Sequence, residues 1–126
     1  MEVQIIMLVC SLLIPLMMLI FGWIMLMHPP KEPNSVFGYR TAASGRSQES
    51  WLYAQKLCGK IWLILGFAML VVSFACFLLP IWKDEHGASV AGAVMMGVQT
   101  ALMLLSIIPM EIALHRNFDS EGKRKE

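Results

Sequence analysis

The run IWLILGFAMLVVSFACFLLPIW, Ile61–Trp82, contains no aspartate, glutamate, lysine, arginine or histidine. Trp62 and Trp82 stand near its two ends, and at the helical rise of about 1.5 Å per residue they lie about 30 Å apart. That is the thickness of a bilayer's hydrocarbon core, so the run reads as a transmembrane helix with a tryptophan anchor at each interface. Pro80 is close enough to the end to terminate the helix rather than kink it.

The same reading extends outward in both directions. Upstream, VQIIMLVCSLLIPLMMLIFGWIMLM, Val3–Met27, is uncharged and long enough to cross a bilayer. It lacks the basic start of a secretory signal and exceeds the usual apolar length of one. Downstream, ASVAGAVMMGVQTALMLLSIIPM, Ala88–Met110, supplies a third span. Ser89, Ala93, Gly97 and Ala101 fall at successive i+4 positions there, a smooth stripe suited to close helix packing, within the chain or in a homo-oligomer. Gln99, Thr100 and Ser106 are its mid-span polar groups, expected to bond to neighbouring helices or to their own backbone. The fold class is therefore all-α: one membrane domain over residues 1–126, with spans at about 3–27, 61–82 and 88–110, a connection at 28–60 and a tail at 111–126.

Composition agrees with a membrane protein. The chain is 57% hydrophobic and 15% charged, against about a quarter charged in soluble domains. Every lysine and arginine except Lys83 falls in the 28–60 connection or the tail. By the positive-inside rule these two regions are cytoplasmic and the N-terminus is outside. The cations form no single basic face, which excludes a nucleic-acid partner. Cys10, Cys58 and Cys76 share no ligand or disulfide spacing and read as small buried hydrophobes. Glu111 and His115 stand at i and i+4, but two candidate ligands make no metal site. No cofactor is implied, and no catalytic constellation of side chains is present, so no enzymatic activity is expected.

The connection is the unusual part. HPPKEPN, His28–Asn34, has prolines at 29, 30 and 33, which stop the first helix and send the chain out extended. Ser47 is a plausible N-cap with Glu49 in the following first turn. Trp51, Ala54, Leu57, Cys58 and Ile61 then recur at helical spacing, predicting an amphipathic interfacial helix that runs into the second span, with a bend at Gly59. Between these pieces lies VFGYRTAASGR, Val36–Arg46, with no helical or strand period. Phe37 and Tyr39 flank Gly38 there as candidate interfacial anchors. Arg40 is its strongest fixed donor. Glu111, at the cytoplasmic edge of the third span, is the natural partner for that guanidinium, because charges near membrane depth are costly unless paired. The expected result is a clamp between loop and third helix.

These residues resemble the SdpI family of small bacterial integral membrane proteins. The likeness is carried by Asn34, Phe37, Gly38, Tyr39, Arg40, Thr41, Ser44, Trp51, Ala54 and the Gly59 Lys60 pair. A second piece follows in PMEIALHRNFD, at Pro109, Glu111, Leu114, Phe118 and Asp119. It covers about residues 28–119, in the form of the family's stand-alone C-terminal part. The resemblance implies a multi-pass protein of the bacterial cell membrane that confers immunity to a membrane-active peptide toxin. In a longer type with further N-terminal spans it also implies capture of a cytoplasmic repressor. The expected partners are thus the lipid bilayer, a toxin peptide and, more weakly, a cytoplasmic regulator. Two other classes fit the same residues: an oligomeric transporter or channel subunit with Glu111 on its path, and a scaffold that recruits a partner through the FGYRT loop.

Overall fold

The computed structural model describes residues 2–31 and 38–124. Asn34 and Phe37 lie outside the described residues. The architecture is all-α: α1 (Glu2–Met27), α2 (Gln48–Phe77), α3 (Glu85–Leu105) and α4 (Ile107–Asn117), with 3₁₀ turns at Ser44–Arg46 and Pro80–Lys83. Among the described residues the nearest thing to a sheet is one isolated bridge between Phe118 and Arg124. Three helical stretches, α1, α2 and the α3–α4 pair, are long and apolar enough to cross a membrane. Large apolar side chains cover their outer surfaces; Ile64 is 73% exposed and Phe67 is 63% exposed. Such a surface suits a bilayer rather than water.

The helix α1 occupies the centre. It packs along α2 on one side and α3 on the other, while α2 and α3 barely meet despite their short connection. Closest approach of α1 and α2 is at Gly22 and Gly59. A Cβ placed on Gly59 would come within 2.6 Å of the Gly22 carbonyl oxygen and 2.7 Å of the Leu26 nitrogen. Gly59 is therefore a contact point, and α2 continues through it as one uninterrupted helix. At the helix start Ser47 is the N-cap. Its hydroxyl accepts from the Ser50 amide, and the Ser50 hydroxyl accepts from the Ser47 amide, closing a capping box.

Proline shapes the middle of the membrane. Pro15 lies inside α1 and has no N–H, so the carbonyl of Ser11, four residues earlier, loses its helical donor. An unpaired carbonyl in hydrocarbon costs several kcal/mol. The structure answers with Gln99 of α3, whose Nε2 donates to the Ser11 carbonyl at 2.8 Å and to Ser73 Oγ of α2 at 2.8 Å. One amide thus joins all three spans. Thr100 turns back to its own helix, its hydroxyl donating to the Met96 carbonyl.

Three features differ from packing of the stripe within the chain, simple tryptophan anchors and an unbroken third span. The face of α3 that packs within the chain carries Ala88, Gly92 and Gln99, all buried. Ser89, Ala93, Gly97 and Ala101 are exposed, and nothing lies within 4 Å of a Cβ built on Gly97. Burying the Gln99 amide fixes the rotation of the helix, and that rotation turns the small-residue stripe outward. The tryptophans also differ from simple lipid anchors. Trp82 is 3% exposed and leans on Phe77 with ring centroids 5.3 Å apart, while Trp62 donates its Nε1–H to Ser106 Oγ at 3.1 Å. The third span, finally, is interrupted at Ser106. Pro109 has no N–H for the Leu105 carbonyl, so the ladder breaks there and α4 starts as a separate helix ending at Asn117.

Candidate functional site

Between Gly38 and Ser50 the chain folds into a cap over the end of the bundle where α1 stops, α2 starts and α4 lies. Its centre is Gln55, fully buried on the first turns of α2. The Tyr39 amide donates to Gln55 Oε1 at 2.6 Å, and Gln55 Nε2 donates back to the Tyr39 carbonyl at 2.7 Å. The side-chain amide thus pairs with one residue's backbone as a neighbouring strand would. Gly38 makes this approach possible. Its φ is +105°, and an added Cβ would sit 2.6 Å from Gln55 Oε1.

The turn after Tyr39 is held by its own hydroxyls. The Thr41 amide donates to Ser44 Oγ at 2.8 Å, and the Ser44 amide donates to Thr41 Oγ1 at 3.2 Å. Ser44 is fully buried and donates in turn to the Thr41 carbonyl at 2.9 Å. The Ser50 hydroxyl donates to the Ser44 carbonyl at 3.0 Å, tying the turn to the α2 capping box. Trp51, 1% exposed, donates its indole N–H to the Pro30 carbonyl at 2.7 Å, which fixes the exit of the chain from α1. Gln48 Nε2 donates to the Lys31 carbonyl beside it.

Glu111 of α4 reaches this cap. Its carboxylate accepts from Thr41 Oγ1 at 3.1 Å, so the loop is tied to the third span by the residue after Arg40. A hydroxyl-to-carboxylate hydrogen bond thus links the loop to α4 directly beside Arg40. Arg40 itself is exposed on the rim. The Tyr39 ring is buried, and its hydroxyl has no well-aligned hydrogen bond among the described residues. Burial, and after it the Glu111 charge, push the phenol above its ordinary range.

Beneath these polar contacts lies an apolar layer. Tyr39 and Ala43 from the cap, Ala54 and Cys58 from α2, Met110 and Leu114 from α4, and Phe118 pack as one cluster with Met25 of α1. The tail closes over its edge. Phe118 meets Tyr53 edge-on with centroids 5.2 Å apart, the Arg124 guanidinium lies 5.5 Å from the Tyr53 ring centre, and Ser47 Oγ donates to the Gly122 carbonyl at 2.6 Å. Asp119 Oδ1 accepts from the amides of Glu121 and Lys123, shaping the turn that brings the chain back.

Of the residues singled out in the sequence, the structure brings together Gly38, Tyr39, Thr41, Ser44, Trp51 and Glu111, with Arg40 at their edge. Gln55, Ser50 and Tyr53 were missed. The available signal was the i+4 repeat Trp51, Gln55, Gly59, which marks one side of α2 as buried even though its middle member is polar. No group of three or more potential metal-ligating side chains occurs among the described residues.

The cap, α2, α3 and α4 as far as Glu111 fall within the stretch matched by a family model, the SdpI/YfhL protein family, over residues 31–111. No curated protein and no solved structure matches the chain. The match takes in more than half of the sequence, including Gly38, Tyr39, Thr41, Ser44, Gln55 and Glu111, whose contacts build the cap, and the chain belongs to the SdpI/YfhL family.

Proposed function

We propose that this protein is a non-enzymatic immunity protein of the bacterial cell membrane, which protects its cell from a membrane-active peptide toxin by binding the peptide or altering its insertion. Membership of the SdpI/YfhL family supports an immunity-type membrane protein. The observation that carries the finer reading is the cap. Its backbone is locked through Gln55 and Glu111, as a recognition surface requires, and its hydroxyls are engaged in holding that shape. In the proposed orientation the N-terminus faces outside and the cap and tail face the cytoplasm, which assigns Arg40, Arg46, Lys56, Lys60 and Arg116 to the cytoplasmic side. A transporter reading needs Glu111 on a conducting path, whereas its carboxylate is used to hold the loop.

Expression in a toxin-sensitive strain tests the proposal. Wild-type protein should raise survival under a membrane-active peptide at least tenfold. Gln55→Leu, which leaves the spans intact and releases the cap, should lose that protection at equal membrane abundance. Wild-type expression that protects against none of a panel of such peptides would defeat the reading.

A further inference from the structure

Next to the cap, α1 and the α3–α4 junction stand apart and leave a slot of about 420 Å³. Its walls are Met17, Phe21 and Met25 on one side and Leu104 and Ile107 on the other, and Cys58 and Trp62 of α2 form its floor. From Met17 to Met25 the slot runs about 12 Å along α1, from membrane depth to the helix end. Its deep part is wholly apolar. At its outer end stand Arg40 and Thr41 of the cap.

We infer that this slot binds one anionic phospholipid, with an acyl chain between α1 and the α3–α4 junction and the phosphate on Arg40. The first ground is polarity: the slot is apolar where acyl chains lie and cationic where phosphates lie. The second is place. Leu104 is 58% exposed and Ile107 is 40% exposed on an outer face of a spanning helix, so the slot opens sideways to lipid. The third is chemistry. A guanidinium fork offers five N–H donors and matches phosphate geometry, so a phosphate can add to the contact that Arg40 already has within the chain. Glu111, the nearby opposing charge, is not part of the lining. Such a lipid would brace the cap against the bilayer. This inference is independent of what the cap recognises.

Full-length protein in detergent, titrated with phosphatidylglycerol, phosphatidylcholine or soluble glycerol 3-phosphate and followed by native mass spectrometry, provides the test. The expected result is preferential retention of phosphatidylglycerol over phosphatidylcholine and no binding of glycerol 3-phosphate. Arg40→Gln should weaken phosphatidylglycerol binding about tenfold, as loss of a charge-assisted phosphate contact implies. Lys56→Gln, an exposed cation on α2, should change it less than about twofold. Ile107→Trp, which fills the slot without changing charge, should reduce retention of both lipids and remains informative if the Arg40 variant folds poorly. Equal retention of both lipids by wild-type protein overturns the inference. So does an Arg40→Gln effect no larger than that of Lys56→Gln, undiminished retention by the Ile107 variant, or binding of the soluble headgroup alone.

Discussion

Gln55 sets the shape of the cap because its amide meets both polar atoms of the Tyr39 backbone. Removing it would strand a buried donor and a buried acceptor, each worth about 1–3 kcal/mol. A polar residue between Ala54 and Lys56 in an amphipathic stretch reads as part of the wet face, which is why the sequence did not announce it. Gly38, Tyr39, Thr41 and Ser44 were legible as a group, but which of them bonds to which depends on a turn whose hydroxyls satisfy one another locally. Tyr39 gives the prediction at this scale. Its phenol is held above the ordinary value near 10 by burial first and by Glu111 second. Above about pH 10 the folded state therefore binds more protons than the unfolded chain. The contribution of neutral Tyr39 is full below that pH and declines as pH rises through it. In detergent, the unfolding temperature of Tyr39→Phe should fall less between about pH 9 and about pH 11 than that of the wild type. Identical slopes would show that the Tyr39 proton is not held by the fold.

At the scale of elements, the three spans could be read from charge-free runs because hydrocarbon admits little else. Their rotation could not. Two faces of α3 competed, one lined by Ser89, Ala93, Gly97 and Ala101 and one carrying Gln99, and small size is a weaker constraint than an amide that must leave lipid. Pro15 was the missing piece, since it creates the bare Ser11 carbonyl that Gln99 satisfies. The two residues should therefore be energetically coupled. Gln99→Leu should cost about 1 kcal/mol in the wild-type background, in the upper part of the range for interhelical hydrogen bonds in membranes. In a Pro15→Ala background, where residue 15 can supply an N–H to Ser11, the cost should shrink by about half. Unfolding of the four proteins in mixed detergent measures the cycle, and strict additivity would separate Gln99 from the proline. The break at Ser106 has a similar origin, because a proline in an apolar run was legible whereas its effect on α3 and α4 needed the neighbouring Trp62 to be placed.

For the whole molecule, the question is how a loop near the middle of the chain stays fixed to helices far from it in sequence. Three ties reach across: Trp51 to the Pro30 carbonyl, Thr41 to Glu111, and Ser47 to the Gly122 carbonyl. The first joins α2 to the segment that leaves α1, the second joins the cap to α4 and the third joins it to the returning tail. Loop-closure entropy opposes such an arrangement only weakly with length, and the apolar cluster below it supplies the main stabilisation. The polar ties then select one geometry from the compact ones available. Thr41 and Glu111 are the pair to test, since each can be changed without cutting the cluster. Thr41→Val and Glu111→Gln should each weaken the link between loop and α4. Their effects combined should fall short of the sum by about 1 kcal/mol, the coupling expected of a hydroxyl bonded to a charged group. Hydrogen exchange gives the second readout. Amides of residues 41–50 should lose protection in both variants, while those in the middle of α1 and α2 keep theirs, because opening the cap leaves the packing of the spans unchanged. Full additivity, or loss of protection spread evenly through the spans, would mean that cap and bundle unfold as one unit and that the Thr41–Glu111 bond does not hold the loop.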